Sequence, residues 1–152
     1  MKIFLALVFS MTALGCDTQQ NEFIPLGHLT FTNSYDKNSV KVSYYVLIDH
    51  PSPDGGTLKN EIIRYVKRRL DDGQPPDAPR AASLNFVFYE KTGQTAYFIA
   101  HKEDPGGLAS EEISHHREDY IANYAVRHCD GGVTEKLYLH DGPEETLLDS
   151  CS

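Results

Sequence analysis

Residues 3–14 read Ile-Phe-Leu-Ala-Leu-Val-Phe-Ser-Met-Thr-Ala-Leu, apolar apart from Ser10 and Thr12, behind a positively charged Met1-Lys2. The run is shorter than the roughly twenty residues that span a bilayer. With its positive start and the small residues Ala13 and Gly15 just before Cys16, it has the layout of a secretory leader. This segment constrains the fold by subtraction. Residues 1–15 leave with the leader, and the folded body must be built from the 137 residues behind them. That length suits one domain with its own hydrophobic core.

The junction Ala13-Leu14-Gly15-Cys16 resembles the lipobox of bacterial lipoproteins. Gly15 and Cys16 match that pattern. Ala13 and Leu14 depart from it, because the family favours an aliphatic residue where Ala13 stands and a small one where Leu14 stands. In that family the cysteine is acylated through sulfur, the peptide before it is removed, and the new N-terminus is acylated too. The resemblance implies a lipid anchor on Cys16, and two or three acyl chains hold a protein firmly where a single chain does not. Ala13 and Gly15 also satisfy the small-x-small rule of ordinary secretory cleavage, which cuts at the same place and leaves the protein without the lipid. The expected organisation is a leader over 1–15, a polar tether over 16–25 and one domain over 26–152. Its expected place is outside the cytoplasm, anchored by lipid in the cell envelope.

Export sets the sulfur chemistry. Oxidising compartments favour disulfides, and an odd thiol there is a liability. The chain has three cysteines. If Cys16 carries lipid, Cys129 and Cys151 remain as a natural pair; if it does not, other pairings stay open. The formal net charge is −8, and the loss of Lys2 makes the body one unit more negative. An acidic surface argues against nucleic acid, whose phosphates it repels, and against polybasic attraction to anionic lipid. It suits a basic protein partner, and it also serves solubility alone.

The body alternates between strand and turn signals. Leu26–Thr32 and Val40–Ile48 alternate apolar and polar residues, the second most clearly, with turn formers between them. Leu58, Ile62, Tyr65, Val66 and Leu70 recur at spacings of three and four, which predicts an amphipathic helix over about 58–71. Thr57 is placed to cap it, Lys67-Arg68-Arg69 suit its C-terminal dipole, and Gly73 ends it. A proline-bearing connector over 74–82 leads to two aromatic-rich strands, 84–89 and 95–101, joined by a turn at 91–94. A short helix is expected near Ser110. Strands over 120–127 and 133–140 form a hairpin about Asp130-Gly131-Gly132, and 141–152 reads as a polar tail. The expected fold is α+β: an antiparallel sheet of about six strands in the order β-β-α-β-β-β-β, covered on one face by one main helix.

Two groups of residues carry chemical interest. His101, His115, His116 and Glu118 offer metal ligands, with zinc the natural ion, although no HExxH or paired CxxC spacing fixes them. Neighbouring histidines point different ways in helix or strand, so a site built on one needs ligands from elsewhere. Tyr45, Tyr89, Tyr97 and Tyr138 fall on the sheet face opposite the helix, where tyrosines either pack on half-buried strands or present a docking surface. No nucleophile motif such as Gly-x-Ser-x-Gly is present. The Asp54-Gly55-Gly56-Thr57 segment lacks the lysine and glycine spacing of a phosphate loop and reads as a turn and cap. The sequence favours a non-enzymatic module binding another envelope or exported protein, for example as an inhibitor or immunity protein, and no cofactor. A metal-binding protein or metal-dependent hydrolase is the alternative.

Overall fold

The computed structural model describes residues 21–32, 40–73, 81–102 and 112–151. Six strands form one sheet in chain order: β1 (Glu22–Thr32), β2 (Val40–Asp49), β3 (Ser83–Glu90), β4 (Tyr120–Cys129), β5 (Gly132–Leu139) and β6 (Glu144–Asp149). Helix α1 (Gly55–Asp71) links β2 to β3, and a four-residue helix α2 (Tyr97–Ala100) follows β3. The α+β class holds, with one main helix. The sheet is mixed: β2 and β3 run parallel, and every other neighbouring pair is antiparallel. The expectation of a wholly antiparallel sheet fails here for a topological reason. Parallel neighbours need a crossover connection, and the helix between β2 and β3 supplies one.

Two elements exchange roles with the expectation. The strand expected over 95–101 is instead a turn followed by α2. Thr95 is fully buried, and its Oγ1 donates to the Glu90 carbonyl at 2.7 Å while accepting from the Thr92 amide at 2.7 Å. These side-chain bonds compete with a ladder and close a turn. The expected tail supplies the missing strand, β6, on the edge of the sheet. Its composition is polar because an edge strand is guarded by charge, and only Leu147 packs against the main core. At the other edge β1 begins at Glu22, four residues before the alternation suggested, so Glu22–Pro25 of the expected tether are in the sheet.

α1 starts where Asp54 Oδ2 accepts from the Thr57 amide at 2.7 Å and from its hydroxyl at 2.6 Å. The cap is therefore Asp54 rather than Thr57, which removes one orphan donor of the first turn. Ile62 and Val66 are fully buried against β2, β3 and β4 side chains Val42, Val46, Ile48, Leu84, Phe86, Phe88, Ala122 and Tyr124. Phe23 of β1 stacks on Tyr65 of the helix at 4.6 Å between centroids, at an interplanar angle of 13°. The opposite sheet face carries a smaller cluster of Leu26, Tyr45, Leu47, Tyr89, Phe98 and Ile113. It is covered by α2 and the segment around Ile113, so the sheet is closed on both sides at this end.

Candidate functional site

Cys129 and Cys151 are bonded, with Cα atoms 5.9 Å apart. Cys129 ends β4 and Cys151 follows β6, so the bond ties together the C-terminal ends of the outer strands of a three-stranded meander. Ser150 reinforces it: its amide donates to the Val133 carbonyl, and its Oγ accepts from the Val133 amide at 2.8 Å. The backbone passes so close to Gly132 that a Cβ there would collide with the Ser150 carbonyl. Gly131, at φ +81°, makes the turn between β4 and β5. Cys16 lies outside the described residues.

Part of the histidine-rich segment brings together side chains that could hold a metal ion. One donor atom each from His116, Glu118 and Asp119 lie within 4.8 Å of one another, on the 3-10 turn Arg117–Asp119 and the residue before it. The turn points all three side chains to one side, which strand geometry could not do for neighbours. Phe98 of α2 meets the His116 ring edge to face at 5.2 Å, and Thr92 Oγ1 donates to Asp119 at 3.4 Å. His116 Nδ1 is shielded from solvent and has no hydrogen-bond partner among the described residues. His115 is exposed on the preceding turn, and His101 closes α2, its ring stacked 4.1 Å from that of Tyr97. Neither belongs to the group, whereas Asp119, the last residue of the same acidic and histidine-bearing segment, does.

The tyrosines divide. Tyr45 and Tyr89 are buried in the smaller cluster rather than presented to solvent. With Tyr120 and Tyr138 they form a row of rings across β2, β3, β4 and β5, at centroid spacings of 6.4, 5.9 and 6.3 Å. Burial pushes the Tyr89 and Tyr120 phenols up to about 12 and raises that of Tyr45 as well. Tyr97 and Tyr138 are the two of the expected set that reach solvent, at 55% and 39% exposure.

A charged group on the helix face was not foreseen from sequence. Glu135 of β5 is buried and accepts from the Tyr124 hydroxyl and, at 2.6 and 2.5 Å, from Lys67 of α1. Burial, and then the bond to the carboxylate, raises the Tyr124 phenol far above its ordinary value. The lone signal was the interruption of an apolar face in Val133–Leu139 by an acid. The group is satisfied on every side, as a buried charge must be, and it fixes how α1 sits on β4 and β5.

Among the described residues no helix is long and apolar enough to cross a membrane. Compared with known proteins, the chain matches no family model, no curated protein and no solved structure.

Proposed function

We propose that the chain is an exported domain, held by lipid on Cys16 at the cell envelope, that works as a non-enzymatic protein-binding module. The observation that carries this reading is the Cys129–Cys151 bond, which leaves Cys16 as the odd cysteine directly behind an apolar leader. A disulfide of this kind belongs to an oxidising compartment. The docking surface is the edge farthest from β1, the β5–β6 end. There Tyr138 and Leu148 are exposed on strands that also carry Glu144, Glu145 and Asp149, with Lys136, paired to Glu144, the one cation of β5 and β6. Exposed aromatic and aliphatic side chains on an acidic sheet edge suit a basic partner. An inhibitor or immunity role against a basic exported protein is the concrete form. The test is capture from an envelope extract on the immobilised, lipidated protein, beside a Glu144→Lys/Glu145→Lys variant. A partner retained by the first and released by the second supports the reading. Repeated failure to retain any partner with that behaviour contradicts it.

The group of His116, Glu118 and Asp119 favours a second reading, a metal-binding protein. One imidazole and two carboxylates suit zinc or a similar divalent transition ion, and three protein ligands leave a position open for water or substrate. Zinc titration of the purified protein separates the readings. Binding of one ion, lost in His116→Ala with the fold unchanged, favours the metal; absence of binding removes it.

A further inference from the structure

We propose that the β1 flank of α1, through Arg64 and Arg68, is a docking surface for anionic phospholipid headgroups, and that it sets how the anchored domain stands on its membrane. The proposal rests on the lipid anchor argued above and adds an orientation to it.

The two long flanks of α1 differ in how their cations are used. On the flank facing β5 and β6, Lys59 pairs with Glu145 at 2.6 Å and Lys67 pairs with Glu135 at 2.5 Å. On the flank facing β1, Arg64 and Arg68 are exposed, and neither has an ion pair among the described residues. They line an open concavity of about 390 Å³ together with Asn21, Phe23, Tyr65 and the acids Glu22 and Glu61. Glu61 is held by the Asn21 side-chain amide. Guanidinium groups match phosphate oxygens two at a time, which an ammonium cannot do.

Asn21 ties the anchor to this flank. It sits in the same concavity as the arginines. From Cys16 to Asn21 is five residues, which even fully extended reach at most about 18 Å. An acyl group on Cys16 therefore keeps this flank within a short distance of the headgroups. A short tether turns a weak contact into an intramolecular one. Charge along the body points the same way. On the β1 flank α1 presents Arg64 and Arg68 beside Glu61, whereas Lys59 and Lys67 on the other flank are already paired with acids of β5 and β6. The acidic β6 edge lies five strand spacings from β1, about 24 Å away. An anionic surface attracts the anchored side and repels the far one. The overall acidity of the chain, which argues against membrane attraction for a free protein, here adds to the orientation.

The chain contains no tryptophan, so single reporters are clean. Asn60→Trp places one on the stripe of Arg64 and Arg68, one and two turns before them, and Tyr138→Trp places one on the far side. The lipidated protein is first weighed intact and then reconstituted into vesicles of phosphatidylcholine alone or with 30% phosphatidylglycerol (roughly the charge density at which each nearby basic residue matters). Quenching by a headgroup nitroxide lipid is the readout. In anionic vesicles the Asn60→Trp reporter should be quenched at least about fivefold more than the Tyr138→Trp reporter. High salt and Arg64→Gln/Arg68→Gln should each remove the excess, with circular dichroism unchanged. Equal quenching of the two reporters, or an excess indifferent to the arginines, overturns the proposal while leaving the anchor intact. A mass without acyl chains overturns the anchor itself, and is read before any vesicle is made. If the arginine variant leaves lipid quenching unchanged but loses a co-purifying protein, the face belongs to that protein and the proposal fails.

Discussion

On the α1 side of the sheet, the buried side chains of β2, β3, β4 and β5 close with Ile62 and Val66 into one continuous cluster. On the other side the buried cluster is smaller and sits at one end, under α2 and Ile113. The first face is held by a seventeen-residue helix with a capped start and an ion pair to the sheet. The second is held by four helical residues without a side-chain cap and by a turn. Strength and chemistry are thus separated. The buried polar group on the face that stabilises the fold is a satisfied carboxylate, with its exposed arginines at the solvent flank of α1, whereas the loosely covered face carries the exposed Tyr97 and the His116 group. Segments with few buried contacts open locally at lower cost, which is where binding groups are expected to reside.

The comparison breaks most visibly if a core substitution costs the same on both faces. Phe86→Ala on the α1 side should cost about 3–5 kcal/mol in a denaturant titration. Phe98→Ala should cost less, about 1–3 kcal/mol, and its hydrogen-exchange signature should be confined to α2 and residues 112–116. Equal global losses would mean that the two clusters are one cooperative unit. Next in size is the disulfide. Cys129→Ala/Cys151→Ala should lower stability by about 2–4 kcal/mol, with β6 the first strand to lose exchange protection. The buried acid follows: Glu135→Gln should cost about 1–3 kcal/mol, because it weakens the acceptor for both Lys67 and Tyr124. Tyr124→Phe should cost about 1 kcal/mol.

The smallest effect at neutral pH concerns the tyrosine row. The Tyr89 and Tyr120 phenols, raised to about 12 in the folded protein, ionise near 10 when unfolded. The stability they contribute is complete below pH 10 and is lost as pH rises toward 12. Absorbance at the tyrosinate band should therefore rise together with unfolding for these two rings, and Tyr89→Phe should flatten the alkaline limb. Ionisation near pH 10 without unfolding would place these rings in water.

Much of the α1 face was legible in sequence. Val40–Ile48 and the spacing of Leu58, Ile62, Tyr65 and Val66 carry strong periodicity, and the observed elements extend those ranges by only a few residues. The other face was not, because its cover is too short to have a period. Tyr97–Ala100 fills one helical turn, and its aromatic, β-prone residues imitate a strand. Glu144–Asp149 was hidden by its edge position, where charge replaces the apolar alternation that marks a strand. The metal-ligating group was half legible. His116 and Glu118 were candidates from their chemistry, but the 3-10 turn that sets Asp119 beside them in place of His115 leaves no mark in composition. The buried Glu135 shows the same limit: its partners Lys67 and Tyr124 lie 68 and 11 residues away.

The claim beneath the proposed role is that the trimmed chain begins at a lipid-bearing Cys16 and keeps Cys129 and Cys151 oxidised. The intact mass of the protein taken from native membranes without reductant tests this directly. The account predicts a polypeptide lacking residues 1–15, heavier by two or three acyl chains, and lighter by two hydrogens for the disulfide. A mass that retains the leader, or one with Cys16 unmodified, would contradict it.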